Sequence, residues 1–142
     1  MADTLTLYGR CGNKLSDWTA TGTIKLMLCT SLYTPNYDTH EYKSSVTNEI
    51  TSVLNAGYTS GGKTLSSLST SYVASSNETL FDATDVVWTG ELTARQAICY
   101  VEKTANETSP LLFNVTFTGD KTIESGTLTF TWDADGIFKT TV

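Results

Sequence analysis

Alternation with a period of two, broken by turn signals every eight to twelve residues, is the feature that most limits what this chain can become. In TIKLMLCTS (23–31), Ile24, Leu26 and Leu28 fall on one side of an extended segment and Lys25, Met27 and Cys29 on the other. LTARQAICYVEK (92–103) repeats the pattern, with Ala97, Cys99 and Val101 opposed to Ile98 and Tyr100. TLTLYG (4–9), KTLSSLSTSYVAS (63–75) and two short runs within TLFDATDVVWTG (79–90) read as further strands. LLFNVTFTG (111–119) follows TANETSP (104–110) as the return arm of a hairpin, and GTLTFTWDADGIFKTTV (126–142) reads as a second hairpin turning at DADG. Residues 10–22, 32–42 and 55–62 are turn-rich, and 41–50 allows a helical turn or two. Evenly spaced short strands predict an all-β domain, a sandwich or barrel-like fold of antiparallel strands with little helix. Residues 1–16 read as an extended arm and 17–142 as one β domain.

Composition agrees and removes several functions. Only 17% of the 142 residues are charged, and 27 Thr and 14 Ser take their place. Threonine suits the outer face of a strand, and a surface built from it suits packing against neighbours. The net charge is −6, and the nine basic residues form no cluster. Nucleic-acid binding needs concentrated positive charge, so it is not expected. No apolar run is long enough for a membrane helix. MADTLTLYGR has no basic stretch leading into an apolar one, so the expectation is a chain made in the cytoplasm without a secretory leader. Cys11, Cys29 and Cys99 lack metal-ligand spacing. They are expected as reduced thiols, with an intermolecular bridge from Cys11 as the sharper alternative.

One motif points elsewhere. GYTSGGKT (57–64) satisfies the pattern of a phosphate-binding loop. Such a loop needs a buried strand before it and a helix after it, whose amino end faces the phosphates. The following LSSLSTSYVAS has no helical stripe, so the glycines are expected to make a turn, with Lys63 solvated at a strand start. His40 lies between Asp38 and Glu41, but no nucleophile is marked beside it. Asp133 and Asp135 resemble the start of a calcium loop that then lacks its later ligands. Asp82 and Asp85 bracket a turn, and three N-x-T sequons start at Asn77, Asn106 and Asn114 in a Thr-rich chain. No catalytic residue, metal or cofactor is expected. Tyr33, Tyr37, Tyr42 and Tyr58 fall in loop-like segments, where they either contact partners or pin their own loops.

Several stretches together resemble small structural proteins of tailed bacteriophages: DWTATGTIKLMLCTSLYTPNYDTHEY (17–42), SSVTNEI (44–50), GYTSGG (57–62), FDATDVVWTGELTARQAICYVEKT (81–104), SPLLFNVTF (109–117) and GTLTFTWDADGIF (126–138). The resemblance implies a non-enzymatic virion component. Capsid decoration or cementing is preferred to a neck or tail position, or to a glycan- or receptor-binding module on the tail. The implied partners are the major capsid protein or other virion proteins and further copies of the chain, with a trimer among the possible oligomers. The expected interface comprises Thr4, Leu5, Leu7, Tyr8, Cys11, Tyr33, Tyr37 and Tyr58. In this reading TLTLYG adds a strand to a neighbour's sheet, and Cys11 locks that contact.

Overall fold

The computed structural model describes residues 4–11, 24–53, 55–124, 126–130, 132 and 137–141, with the backbone alone for 138–141. Residues 12–22 of the expected loop at 10–22, with Trp18, and the DADG turn at 133–136 lie outside the described residues. The fold is all-β. Its strands are β1 (Thr4–Leu7), β2 (Ile24–Cys29), β3 (Lys63–Thr64), β4 (Ser69–Val73), β5 (Glu78–Asp82), β6 (Val86–Thr89), β7 (Leu92–Val101), β8 (Leu111–Ile123), β9 (Thr127–Phe130) and β10 (Phe138–Thr141). Single 3₁₀ turns at Lys43–Ser45 and Asn106–Thr108 are the helical content among the described residues.

A five-stranded antiparallel sheet, in the order β1-β8-β7-β2-β3, carries the fold. A three-stranded sheet, β10-β5-β4, and a two-stranded one, β6-β9, accompany it. The alternation in β2 and β7 does what the sequence predicts on both faces at once. Ile24, Leu26 and Leu28 of β2 join Ala97, Cys99 and Val101 of β7 in one buried cluster, together with Phe81, Val86 and Trp88 from the smaller sheets. Met27 and Cys29 join Ile98 and Tyr100 in a second cluster on the opposite face, closed by Tyr8, Tyr33 and Leu111. Each fully buried side chain of this size contributes roughly 1.5–3 kcal/mol, so the two clusters dominate the stability.

The parity of β7 changes partway along. Leu92 and Ala94 share the first cluster with Ala97 and Cys99, which strict alternation forbids. A register shift between Ala94 and Gln96 resolves this: Ala94 pairs with Lys121 but Gln96 with Thr116. Arg95 sits at that bulge, with its Nε donating to the Phe117 carbonyl (3.2 Å) and its guanidinium 3.6 Å from Asp120.

Two sequence expectations are corrected. Residues 63–75 are not one strand. Lys63–Thr64 pairs with β2, whereas Ser69–Val73 pairs with β5 in another sheet. Between them Leu65 is buried in the core and Ser67 takes a φ of 52°. The C-terminal segment is not a hairpin either. β9 pairs with β6, and β10 with β5. Aromatic packing fixes this partition: Phe130 lies 6.0 Å from Trp88 and 5.4 Å from Phe117, and Trp132 lies 6.3 Å from Phe113. The Trp132 amide also donates to Asp85 Oδ1 at 2.9 Å. These contacts seat β9 and Trp132 on the large sheet, and β10 is left to complete β5.

The expected consequence of the double core is a sharp contrast between two leucines. Leu26→Ala empties a position with 0% exposure and should cost about 2–5 kcal/mol in urea unfolding. Leu32→Ala, at 74% exposure, should change stability by less than about 0.5 kcal/mol.

Candidate interaction surface

The phosphate-loop pattern is filled by the protein's own groups. β3 ends at Thr64 and the chain continues through Leu65 to β4, so no helix amino end stands behind the loop. A carboxylate occupies the amide side of the turn: Glu49 Oε2 accepts the Gly61 N–H at 2.6 Å and also the Tyr58 hydroxyl proton. The Tyr58 oxygen in turn accepts the Leu28 amide at 3.2 Å. Tyr100 closes the other side by donating to the Gly61 carbonyl at 2.7 Å. Lys63 directs its Nζ to the Val87 carbonyl at 2.6 Å.

The motif glycines have the same explanation. A Cβ at Gly62, whose φ is +81°, would lie 2.0 Å from the Leu26 carbonyl oxygen. One at Gly57 would lie 2.7 Å from that of Thr89. Both positions are glycine because the loop backbone lies directly on β2 and on the β6–β7 turn.

The tyrosines expected at an interface have mostly turned inward. Tyr8, Tyr33 and Tyr58 are buried, and Tyr37 is half-buried. The Tyr8 and Tyr33 hydroxyls are 2.7 Å apart, and the Tyr33 hydroxyl lies 3.0 Å from His40 Nδ1. The Asn36 amide donates to the same Nδ1 at 3.2 Å. That nitrogen is therefore an acceptor, which puts the ring proton on Nε2. Gln96 extends the layer by donating from Nε2 to the carbonyls of Thr30 (3.1 Å) and Tyr33 (2.7 Å). Asn114 Nδ2 bridges Gln96 Oε1 at 3.0 Å and the Tyr37 hydroxyl at 3.1 Å. The 30–40 loop is thus bolted to the second face of the large sheet. Of the two roles open to the loop tyrosines, pinning their own loop is the one these bonds perform.

Burial raises the pKa of the phenols of Tyr8, Tyr33, Tyr58 and Tyr100. It pushes Tyr33 from its ordinary 10.0 up to about 12, and Tyr8, Tyr58 and Tyr100 higher still. The same cause pushes the Cys29 thiol up to about 12 and raises Cys11 and Cys99.

The remaining expected interface residues divide. All three cysteines are free and buried, as the reading of reduced thiols has it, and the alternative of an intermolecular bridge finds Cys11 enclosed rather than presented at the surface. Thr4 is exposed, while Leu5 and Leu7 are half-buried against the core. The segment read as an arm forms a strand on its own chain, with Thr4 opposite Thr116 and Leu7 opposite Phe113 of β8. Arg10 lies 3.6 Å from Glu41. The Asn114 sequon sits in β8 at 0% exposure, out of reach of glycosylation, while Asn77 and Asn106 are exposed. Asp82 Oδ1 accepts the following amide of Ala83 at 2.8 Å. Among the described residues no group of three or more His, Cys, Asp or Glu could hold a metal ion, and no helix is long and apolar enough to cross a membrane.

What the chain leaves exposed was not marked by any motif. Leu32 and Val53 project from loops, and Val87 and Tyr72 stand on strands. β4 is exposed along its length except at half-buried Val73. Its signal in the sequence was the uncharged run from Thr64 to Asn77. Comparison with family models, with curated proteins and with solved structures finds no match.

Two outcomes follow. Glu49→Ala leaves the Tyr58 hydroxyl and the Gly61 amide without their acceptor and should cost about 1–3 kcal/mol. Glu49→Gln, which keeps an oxygen there, should cost less, and Lys63→Ala less again, all read by urea unfolding. The phenols predict alkaline sensitivity. Unfolded tyrosines lose protons from about pH 10, whereas Tyr33 holds its proton to about 12, so its stabilising share is complete below 10 and is lost as pH rises through that window. Phenolate absorbance of the buried tyrosines should therefore appear together with loss of the β-sheet circular dichroism. Titration of all seven tyrosines near pH 10 with the dichroism unchanged would contradict the packing.

Proposed function

We propose that this chain is a non-enzymatic structural protein of a bacteriophage particle, bound to the capsid as a decorating or cementing subunit. The observation that carries the non-enzymatic part is how the chemistry-bearing groups are spent. Glu49 and Lys63 serve the glycine loop, His40 Nδ1 serves Tyr33 and Asn36, and Asp85 anchors Trp132. Each secures a loop or strand of its own chain. The particle part rests on the phage-like stretches from Asp17 to Phe138. A small β body with a weakly charged surface suits such a role, because many weak identical contacts on a lattice add up to persistent attachment.

The inward tyrosines redirect the interface. Exposed candidates are the edge residue Thr4, the loop residues Leu32 and Val53, and the strand residues Tyr72 and Val87. Tyr33 and Tyr58, loop tyrosines that a glycan-binding module would present to its ligand, have their hydroxyls committed inside the chain.

Incubation of the purified protein with capsid shells that lack it, followed by sedimentation and imaging, tests the proposal. The expected result is saturable binding at a fixed ratio to the major capsid protein, with density at symmetry-related lattice positions. Absence of shell binding, together with density at the tail or neck of complete particles, would reject the capsid assignment.

A further inference from the structure

We infer that His40 is an acid-sensitive latch on the 36–40 turn, closed while the ring is neutral and released when Nδ1 takes a proton. Two donors converge on that nitrogen, the Tyr33 hydroxyl at 3.0 Å and the Asn36 amide at 3.2 Å. An imidazole nitrogen accepts through its lone pair, and a proton on Nδ1 occupies that lone pair. The Asn36 N–H only donates, so it then faces another donor. The Tyr33 hydroxyl can turn round, but the bond behind it makes this costly. Tyr8 and Tyr33 share one hydrogen bond of 2.7 Å. With the ring neutral, Tyr8 donates to Tyr33 and Tyr33 donates to His40. With the ring charged, Tyr33 accepts from His40, and its own proton must go to the Tyr8 oxygen. The Tyr8 proton is then displaced on a residue that is 1% exposed, where a donor without an acceptor is expensive.

Neighbouring charge does not compensate. Asp38 and Glu41 flank His40 in the sequence, yet the ion pairs among the described residues do not include the ring, and Glu41 lies 3.6 Å from Arg10 instead. The other titratable groups on this side are Tyr33, stacked on the ring at 5.8 Å, and Tyr8, Tyr37 and Cys29 in the same cluster. Burial keeps Tyr8, Tyr33 and Cys29 protonated and uncharged through the neutral and acid range. The ring itself is half-buried, so solvent protons reach it.

The release is local. Asn36 Oδ1 accepts the Asp38 and Thr39 amides, both at 3.1 Å, and the His40 amide donates to the Asn36 carbonyl at 2.9 Å. The Gly9 amide holds the Tyr37 carbonyl at 2.8 Å, and Gln96 holds that of Tyr33 at 2.7 Å. None of these bonds uses the ring. Acid therefore detaches the turn from Tyr33 and uncovers its hydroxyl, while the strands keep their pairing.

The inference concerns the chain alone and does not depend on the particle assignment. Because His40 is the one histidine, its ring signals report the switch without overlap. Nuclear magnetic resonance of the nitrogen-15-labelled full chain tests it, from about pH 7.5 to about pH 5, either side of the ordinary imidazole value of about 6.5. At the upper end the ring should carry its proton on Nε2. On acidification the Asn36 amide should move together with the ring signals, and its exchange, corrected for the intrinsic rate, should quicken about tenfold or more. The centres of β2 and β7 and the far-ultraviolet dichroism should not change. His40→Asn places an amide oxygen where Nδ1 stands, an acceptor that takes no proton in this range, and should keep Asn36 protected throughout. His40→Ala should leave Asn36 exchanging fast at both ends. Asn36 protection unchanged at about pH 5 in the wild-type chain, or the same acid response in His40→Asn, overturns the inference.

Discussion

Burial of β2 and β7 on both faces is the constraint to which the rest of the molecule answers. A sheet with one wet face needs a single apolar layer to cover it, but this sheet needs two. On one side the layer is made of strand: Phe81, Val86, Trp88 and Phe130 from the smaller sheets pack against Leu26, Leu28, Ala97 and Cys99. On the other side no second sheet is present among the described residues, and loop residues do the work through Tyr33, Tyr37 and Val46, with Tyr8 from the segment after β1. A loop carries more unpaired backbone than a strand, and burying it requires partners for that backbone. Gln96 supplies them for the Thr30 and Tyr33 carbonyls, and Asn114 holds Gln96 and the Tyr37 hydroxyl in place.

The same requirement explains the glycine loop. Residues 57–62 turn tightly over β2, and the positive φ of Gly61 and Gly62 accommodates that turn. Glu49 satisfies the Gly61 amide, and Tyr58 and Tyr100 fix the loop from either side. A row of amides arranged around a carboxylate is what an anion-binding turn looks like in general. Here the anion belongs to the chain, delivered by the segment that bridges Cys29 and Glu49. The arrangement ties three distant stretches together and adds rigidity.

Much of this was legible in the sequence, because it depends on local periodicity. The faces of β2 and of β7 from Ala97 onward could be assigned residue by residue, since alternation reports directly on which side chains share a side. The absence of a helix after Thr64 was equally readable from its β-branched and hydroxyl content. What could not be read depends on contacts between distant residues. Nothing local says that β9 prefers β6 and β10 prefers β5, because that choice is made by Phe130 and Trp132 meeting Trp88, Phe117 and Phe113. The bulge at Arg95 hides in a run that alternates acceptably on either side of it. The tyrosines showed the limit most clearly. A tyrosine in a turn-rich segment has the same sequence context whether its hydroxyl meets solvent or, as with Tyr33, meets Tyr8 and His40.

The central claim is that loops as well as strands are locked by inward hydrogen bonds. Amide hydrogen exchange, resolved residue by residue, tests it most directly, because exchange reports the free energy of opening at each amide. The account predicts that the loop amides of Gly61 and Asn36, bonded to Glu49 and His40, exchange nearly as slowly as those in the centres of β2 and β7. Exchange of both at the rate of an unprotected loop, while the strands stay protected, would contradict it.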